Sequence, residues 1–323
     1  MSRRDLVPGP PVRKSLFRRL GPWLVMAVLF YLIFARVPIE QVYRDFFQVD
    51  FLPFTALAGL SIIFLIPLDA TVQWYAFSRI HHLIPWREVF CARAAMALLN
   101  SLATVASQAG MGVWLARKAK VPAGQAASTT FFLLFLEVYS LLVFPILLLL
   151  FLPEYGPRLL FQSSLNAHTF QGLVLAWLAF AGALLFWQKS GPNFLQRLAD
   201  RLGFWSSFHQ VSLADFLIVL LGKTIIQAGL LALSALMLRT AHLELPARMV
   251  FLYFPLITLI ASLPITPARL GTTQAGFLLF LHDAADPAAL VAFSLLWQFM
   301  LNVFRWLFGA PFLPRLLRDL RGK

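Results

Sequence analysis

Four ionisable residues lie inside long apolar stretches of the sequence: Asp69, Glu137, Lys223 and Arg305. A charge at the centre of a bilayer costs about 2.5–3.5 kcal/mol on insertion scales, so such residues are candidates for function. Glu137 must lie deep, because 16 uncharged residues flank it on each side. Glu137 and Lys223 are therefore the strongest candidates, and the alternative is a structural ion pair between them. Asp69 and Arg305 are expected nearer the ends of their spans, where they snorkel or pair structurally.

Two polar segments interrupt the apolar pattern: residues 107–112 (Ser-Gln-Ala-Gly-Met-Gly) and residues 264–274 (Pro-Ile-Thr-Pro-Ala-Arg-Leu-Gly-Thr-Thr-Gln). Broken helix inside a bilayer leaves backbone groups unpaired, which is tolerated only in the protein interior or beside a wet cavity. Half-helix N-termini after each turn would present free N–H groups suited to a phosphate, and Arg269 could add a bidentate contact. The alternative is that both segments are loops between ordinary packed helices.

Other sequence features give little support to enzyme chemistry. The polar residues Asn100, Gln274, Gln298 and Asn302 suit hydrogen bonds between helices. No nucleophile elbow, P-loop, Rossmann glycine set, HExxH or paired-carboxylate motif is present. The single cysteine, Cys91, belongs to no cluster with zinc-ligand spacing. We therefore expect no catalytic residues, no metal and no cofactor.

The composition is that of a membrane protein. Hydrophobic residues make up 60% of the 323 residues and charged residues only 13%, whereas soluble domains have about 45–50% and about 25%. The net charge of +13 comes from basic residues at the ends of apolar segments. Membrane topology and anionic lipid explain that placement better than nucleic acid does.

Positive charge selects a topology in which residues 94–116 and 249–281 are re-entrant hairpins. The six predicted spans cover approximately 20–35, 51–74, 125–152, 158–189, 213–238 and 287–314. Both termini are then cytoplasmic, and of the 27 Lys and Arg residues 19 lie inside, 5 outside and 3 at membrane depth. Two full spans in place of the second hairpin would keep the same orientation, but its second half, 270–281, has only 12 residues. The prediction is an all-α polytopic membrane protein with six to eight transmembrane helices.

The same order of segments occurs twice, which predicts an inverted repeat. The predicted divisions are a basic N-terminus (1–19), a first repeat (20–155), a second repeat (156–314) and a basic C-terminus (315–323). Each repeat contains two spans, a hairpin and one span, so the second is inverted relative to the first. Inverted repeats with Gly/Pro-interrupted segments at matching positions are typical of secondary transporters, whose binding site lies at the break.

The residues at the two breaks resemble the transmembrane region of lysylphosphatidylglycerol synthases, a family also called flippase-like domain proteins. The resemblance is carried by Asn100, by Gly110 to Arg117 with Lys118 and Val121, and by the run 263–267 (Leu-Pro-Ile-Thr-Pro) with Leu270-Gly271. It covers approximately residues 19–317. The family commonly has Glu where this chain has Gln274, and it usually places Pro before and Glu after the glycine of the first motif. The synthases add a soluble aminoacyl-transfer domain, which is not expected here.

The resemblance implies lipid handling without lipid modification. We therefore expect a multi-pass protein of the cytoplasmic membrane that binds an anionic or phosphate-bearing lipid and helps to translocate it. The expected lipid-binding residues are Glu137, Lys223, Arg269, Asn100, Gly110, Gly112, Arg117, Pro264, Thr266, Pro267, Gly271 and Gln274. Two alternatives remain open at this point: a membrane-embedded enzyme acting on a lipid headgroup or polyprenyl phosphate, and a non-catalytic subunit of an envelope biosynthesis complex.

Overall fold

Every regular element that the computed structural model describes is helical. The structure describes residues 16–81, 84–151, 210–263 and 265–321, together with 175, 179 and 207. Four of the described helices are long and apolar enough to cross a membrane, and a bent helix pair at the N-terminus brings the number to five. These findings confirm the all-α polytopic membrane fold. The predicted span 158–189 lies outside the described residues, apart from two isolated positions.

The described helices follow one another in this order: α1 (Leu16–Phe34), α2 (Ile39–Gln48), α3 (Phe51–Ile80), α4 (Trp86–Leu102), α5 (Thr104–Lys118), α6 (Ala123–Phe151), α7 (Leu213–Thr240), α8 (Ala247–Ser262), α9 (Thr272–Leu281), α10 (Pro287–Gly309) and α11 (Leu313–Arg321). Short 3₁₀ turns occupy Pro267–Arg269 and Ala310–Phe312. Helices α1 and α2 meet at 89°, so α2 leaves the direction of the first span.

The most extensive contact among the described helices is that between α3 and α7, which pack antiparallel. At one end, the backbone N–H of Asp50 donates to the carbonyl of Thr240 at 2.9 Å. At the other end, the Tyr75 hydroxyl donates to Asp215 Oδ1 at 2.6 Å, and Arg79 Nε lies 3.1 Å from the same oxygen. This pairing fixes the register of the two helices that carry Asp69 and Lys223.

Helices α4 and α5 form the first helical hairpin, with its break at Ala103. Ala103 is extended (φ −162°, ψ 133°) and separates two helices of 17 and 15 residues. The helices fold back on each other, since the Ser107 hydroxyl donates to the carbonyl of Met96 at 3.0 Å. At the open end, Lys118 Nζ lies 3.2 Å from Glu88 Oε2. The prediction that residues 107–112 form the break was wrong: that segment is helical within α5, and its glycines permit close packing instead.

Helices α8 and α9 form the second helical hairpin, and its break is longer. The described part of the break comprises Leu263 and residues 265–271, and Ala268, Arg269 and Gly271 have φ values of 51°, 62° and 84°. The helices again pack antiparallel, with the rings of Phe254 and Phe277 5.0 Å apart. Two successive non-glycine residues in the left-handed region are strained, and such strain persists only where the surrounding structure enforces it.

The two hairpins meet at their breaks. Arg269 Nη2 donates to the carbonyl oxygen of Asn100 at 3.1 Å and to the Thr104 hydroxyl at 2.6 Å. Residues of α3, α6, α7 and α10 line the space beside this junction. The arrangement agrees with two hairpins that approach each other from opposite directions. That each hairpin enters and leaves the membrane through one surface stays a prediction. The inverted repeat and the domain boundaries also stay predictions.

Candidate functional site

A cavity of about 410 Å³ lies where the two hairpins meet. Every helix from α3 to α8 and helix α10 contributes to its wall, and so does the break of the second hairpin. Most of the wall is apolar, as is typical of ligand sites that are lined by hydrophobic groups with a few placed polar groups. The ionisable residues in the wall are Asp69, Arg93, Glu137, Lys223, Arg269 and Arg305. All four residues that interrupt the apolar stretches in the sequence therefore converge on one cavity.

Asp69 joins three helices and is nearly closed off from the cavity. Its carboxylate accepts from Lys223 Nζ of α7 at 2.6 Å and from Arg93 Nε of α4. Gln73, one turn further along α3, donates to the same carboxylate at 3.0 Å. Of the two roles expected for Asp69, snorkelling or structural pairing, the structure shows pairing, because these donors hold the residue in the interior at 6% exposure. Arg93 was counted among the 19 basic residues on the cytoplasmic side, and that prediction was wrong, because α4 begins at Trp86 and carries Arg93 inward.

Glu137 is the more accessible of the two carboxylates. Its side chain is 21% exposed, whereas that of Asp69 is 8% exposed. Lys223 Nζ lies 3.4 Å from Glu137 Oε2, and Gln108 Nε2 donates to the same oxygen at 3.1 Å. The ion pair between Glu137 and Lys223 that the sequence left open is therefore present. Glu137 also interacts electrostatically with the three arginines of the cavity.

Arg269 lies at the tip of the second hairpin and faces the first. Besides its two contacts at the hairpin junction, its Nη2 donates to Asn100 Oδ1 at 3.1 Å. All three acceptors are uncharged, and no carboxylate of the described residues lies within salt-bridge distance of this guanidinium. Its Nε is buried and has no acceptor within the described part of the chain. The cation is thus positioned by neutral groups, and its charge remains available to a ligand.

Arg305 of α10 is the second cation of the cavity wall without a carboxylate partner among the described residues. Its Nη1 donates to Asn302 Oδ1 at 3.1 Å, one turn earlier on the same helix. Nearby on α10, the Trp297 side chain lines the cavity, and its Nε1 is a buried donor with no acceptor in the described ranges. Arg305 was expected to snorkel or to pair structurally, and it lines the cavity while hydrogen-bonded to Asn302.

Gln274 is a structural residue of the second hairpin. It is fully buried, and its Oε1 accepts from the backbone N–H of Gly271 at 2.7 Å, at the start of α9. Because Gln and Glu both make this reach-back contact at the third position of a helix, Gln274 can occupy a position where Glu is common without loss of the cap. The Thr266 and Thr272 hydroxyls, 3.1 Å apart, close the same turn. Gln274, Gly271, Pro267 and Thr266 shape the break and do not line the cavity.

The remaining residues predicted to bind lipid fall in three places. Gly110 packs against Met96 of α4, where an added Cβ would lie 2.6 Å from the sulfur. Gly112 and the exposed Arg117 line a separate groove of about 480 Å³ between α5 and α6. That groove shares Val105 and Leu134 with the cavity, so the two spaces adjoin. Pro264 lies outside the described residues.

Sequence reasoning missed Arg93, Gln108 and Trp297 as parts of this site. A signal for Arg93 was present, since Arg93 and Asn100 lie seven residues apart and therefore on one face of a helix. The same reasoning applies to Lys223 and Gln227, four residues apart, and both line the cavity. Gln108 gave no such signal, because it was assigned to a turn rather than to a helix face.

Comparison with known proteins identifies the family. Residues 20–309 match the family model described as the lysylphosphatidylglycerol synthase TM region. No curated protein sequence matches the chain significantly. Because the family match covers most of the 323 residues, the chain belongs to the lysylphosphatidylglycerol synthase transmembrane-region family.

Proposed function

We propose that this member of the lysylphosphatidylglycerol synthase transmembrane-region family binds the headgroup of a phosphate-bearing membrane lipid in the cavity and carries it between the leaflets. The observation that carries the proposal is the position of the cavity. It lies at the junction of two broken helical hairpins, it is walled by six ionisable residues, and an apolar bundle surrounds it. Broken helices in opposed hairpins are the usual setting for substrate sites of secondary transporters.

The charged residues of the cavity have two different roles, support of the fold and binding of the lipid. Asp69, Arg93 and Lys223 form buried ion pairs that tie α3, α4 and α7 together. Arg269 and Arg305 make hydrogen bonds only to neutral groups within the described residues, so they are free to contact a phosphate. Glu137 touches Lys223 and repels an incoming anion, which keeps binding reversible. A transporter needs that reversibility, because a lipid held too tightly is not released.

The adjoining groove between α5 and α6 suits the acyl chains of the same lipid. Its wall is mainly Val, Ala, Leu and Phe, and it is more open than the cavity. A lipid with its headgroup in the cavity and its chains in the groove would keep the chains in contact with the bilayer. The headgroup would then cross near the hairpin junction without crossing the hydrocarbon core alone.

The cavity also bears on the two other functions considered from the sequence. A purely structural subunit predicts no cavity between the hairpins, so the cavity favours a binding function. An enzyme acting on a lipid headgroup predicts acid and base groups that converge on one reacting atom. Of the two cavity carboxylates, Asp69 is held by three donors and Glu137 is the more exposed. The enzyme hypothesis stays open for Glu137 alone.

A transport assay tests the proposal directly. The purified chain is reconstituted into liposomes with tail-labelled phosphatidic acid or tail-labelled phosphatidylglycerol, and a membrane-impermeant quencher reports the loss of inner-leaflet label. We expect faster movement than in protein-free liposomes for at least one of the two lipids. Arg269→Gln should slow it about tenfold or more, since a hydrogen bond to a charged group contributes about 1.5–3 kcal/mol.

Arg239→Gln is the matched control, because Arg239 is an exposed arginine at the end of α7, outside the cavity wall. Its rate should equal that of the unmodified chain. If neither lipid moves faster with the protein than without it, the proposal is overturned. Equal slowing by Arg269→Gln and Arg239→Gln would also count against it.

A further inference from the structure

The charges that line the cavity do not balance. Four cations, Arg93, Lys223, Arg269 and Arg305, face two carboxylates, Asp69 and Glu137. Among these described lining residues the sum is therefore two positive charges. Burying an unpaired ion away from water costs several kcal/mol, so an excess of two like charges in an apolar bundle calls for a compensating ligand.

The excess positive charge is carried by two side chains, those of Arg269 and Arg305. Asp69 is in contact with both Arg93 and Lys223, and Lys223 also reaches Glu137. Arg269 and Arg305 have no carboxylate within salt-bridge distance among the described residues, and each is close enough to be affected by the charge of Glu137. Their two charges also repel each other. The unmatched charge is therefore concentrated on the α10 side and the tip of the second hairpin.

Unused hydrogen-bond donors mark the same region. Arg269 Nε and Trp297 Nε1 are both buried without an acceptor in the described part of the chain. Buried donors are normally paired, and an unpaired one costs about 1–3 kcal/mol. A ligand that satisfies both must supply acceptor oxygens, and a phosphate carries several.

From these observations we infer that the cavity takes a phosphate group that carries two negative charges, as in a phosphomonoester, in preference to a singly charged phosphodiester. This inference rests on the proposed function, and it names the class of headgroup. A dianion neutralises the two unmatched arginines and accepts from Arg269 Nε and Trp297 Nε1, the unpaired donors of residues that line the cavity. A phosphodiester leaves one positive charge uncompensated, and a zwitterionic headgroup leaves two.

Two lipids that differ in little besides charge give the sharpest test. Phosphatidic acid is a phosphomonoester, a kind of group with a second pKa of about 6 in water, so at pH 8 it carries a large share of a second negative charge. Phosphatidylmethanol is its methyl ester and carries one. The purified full chain is incubated at pH 8 with equal amounts of both in a phosphatidylcholine background, and the lipids retained after re-isolation are quantified by mass spectrometry.

We expect retention of phosphatidic acid to exceed that of phosphatidylmethanol by about tenfold or more, because the second charge acts at short range in a low-dielectric site. Arg305→Gln and Arg269→Gln each lower the excess to one charge, so the ratio should fall toward one. Glu137→Gln raises the excess to three, so the ratio should hold or rise. Arg305→Lys keeps the charge and should retain the preference.

Opposite effects of the arginine and glutamate substitutions separate a charge-matching role from a structural one, since damage to the fold lowers retention in every variant. Arg269 joins the hairpins, so Arg269→Gln can fail to fold. In that case Arg305→Gln alone tests whether the preference for phosphatidic acid depends on the excess positive charge. Equal retention of the two lipids, or a ratio unchanged by Arg305→Gln, overturns the inference. Should both lipids be retained equally above phosphatidylcholine and lost in Arg269→Gln, the proposed function still stands.

Inorganic phosphate separates a lipid from a soluble ligand. It is added at pH 8, in increasing concentration, to the complex with phosphatidic acid. We expect little displacement, because the acyl chains contribute to binding in the adjoining groove. Displacement at a concentration equal to that of the lipid would support a dianionic phosphate site but would remove the support for lipid as its ligand.

Discussion

At the scale of single residues, the two cavity carboxylates have different environments and different expected roles. Asp69 accepts from Lys223, Arg93 and Gln73 and is buried. Glu137 has one cationic contact, at 3.4 Å, and a larger exposed fraction. Both were visible in the sequence as charges in apolar stretches, but only the packing of α3, α4 and α7 shows which of them is enclosed.

Asp69→Asn should destabilise the protein strongly, because it leaves Arg93 and Lys223 buried with less compensating charge. Removing one partner of a buried ion pair typically costs about 3–5 kcal/mol. Glu137→Gln should cost clearly less, since Glu137 is more exposed and the amide oxygen can still accept from Gln108. Thermal unfolding of the purified variants in one detergent provides the comparison. An equal loss of stability in the two variants would contradict the assignment of Asp69 to support of the fold and of Glu137 to the lipid-binding site.

Gln274→Glu should keep both stability and lipid movement, because a glutamate oxygen can accept from the Gly271 N–H as the amide does. Gln274→Ala removes that acceptor and should lower stability by about 0.5–2 kcal/mol, the usual range for loss of a helix N-terminal cap. Thermal unfolding and the liposome assay measure the two effects. If Gln274→Glu abolished lipid movement while the fold was retained, the capping role would be insufficient to explain this residue.

At the scale of elements, close helix contacts hold the first hairpin against α10. Gly309 of α10 lies so near α4 that an added Cβ would be 2.6 Å from the carbonyl oxygen of Ala94. A backbone atom cannot move aside as a flexible side chain can, so a methyl group here must separate the two helices. The hairpin that carries Arg93 and Asn100 would then shift relative to Arg305.

Gly309→Ala should therefore destabilise the protein by about 1–3 kcal/mol, the usual cost of overpacking. Gly21→Ala is the matched control, because nothing lies within 4 Å of a Cβ added at Gly21. The control should be neutral or slightly stabilising, since alanine favours helix over glycine. Thermal unfolding in detergent distinguishes the two variants. Equal midpoints would show that α4 and α10 are less closely packed than in the structure.

The sequence predicted the helical hairpins but located only one of the breaks. Proline and glycine in residues 264–274 marked the second break, where the backbone does take left-handed values at Ala268 and Arg269. The first break occurs at Ala103, a residue with no turn-forming chemistry. Gly110 and Gly112 suggested a turn, yet they serve close packing against α4 and α6. A glycine in a membrane helix is ambiguous between these two uses until its neighbours are known.

At the scale of the whole molecule, hydrophobicity and the distribution of basic residues predicted the class of fold and the presence of two helical hairpins. They could not predict that Arg93 turns inward, because a basic residue near a span end is ordinarily assigned to the membrane surface. Burial of Arg93 depends on Asp69, 24 residues earlier on another helix. Such a pairing is a property of the tertiary packing and not of either segment alone.

The arrangement also predicts which surfaces label from which side of the membrane. In a Cys91→Ala background, a cysteine at Tyr43, exposed on α2, should react with an impermeant maleimide from outside intact cells. A cysteine at Arg318 on α11 should react only after the cells are opened. Labelling in the reverse order would place both hairpins on the opposite sides from those predicted by the positive charges.

The central claim is that a lipid headgroup occupies the cavity at the hairpin junction, and site-specific photocrosslinking tests it most directly. A photoreactive amino acid replaces Thr258, which lines the cavity on α8, or Leu221, which is exposed on the outer face of α7. The account predicts that a phosphatidic acid labelled at its headgroup crosslinks at Thr258, that it does so less after Arg305→Gln, and that crosslinking at Leu221 stays low and unchanged. Crosslinking at Leu221 alone, or crosslinking at Thr258 that does not respond to Arg305→Gln, would contradict it.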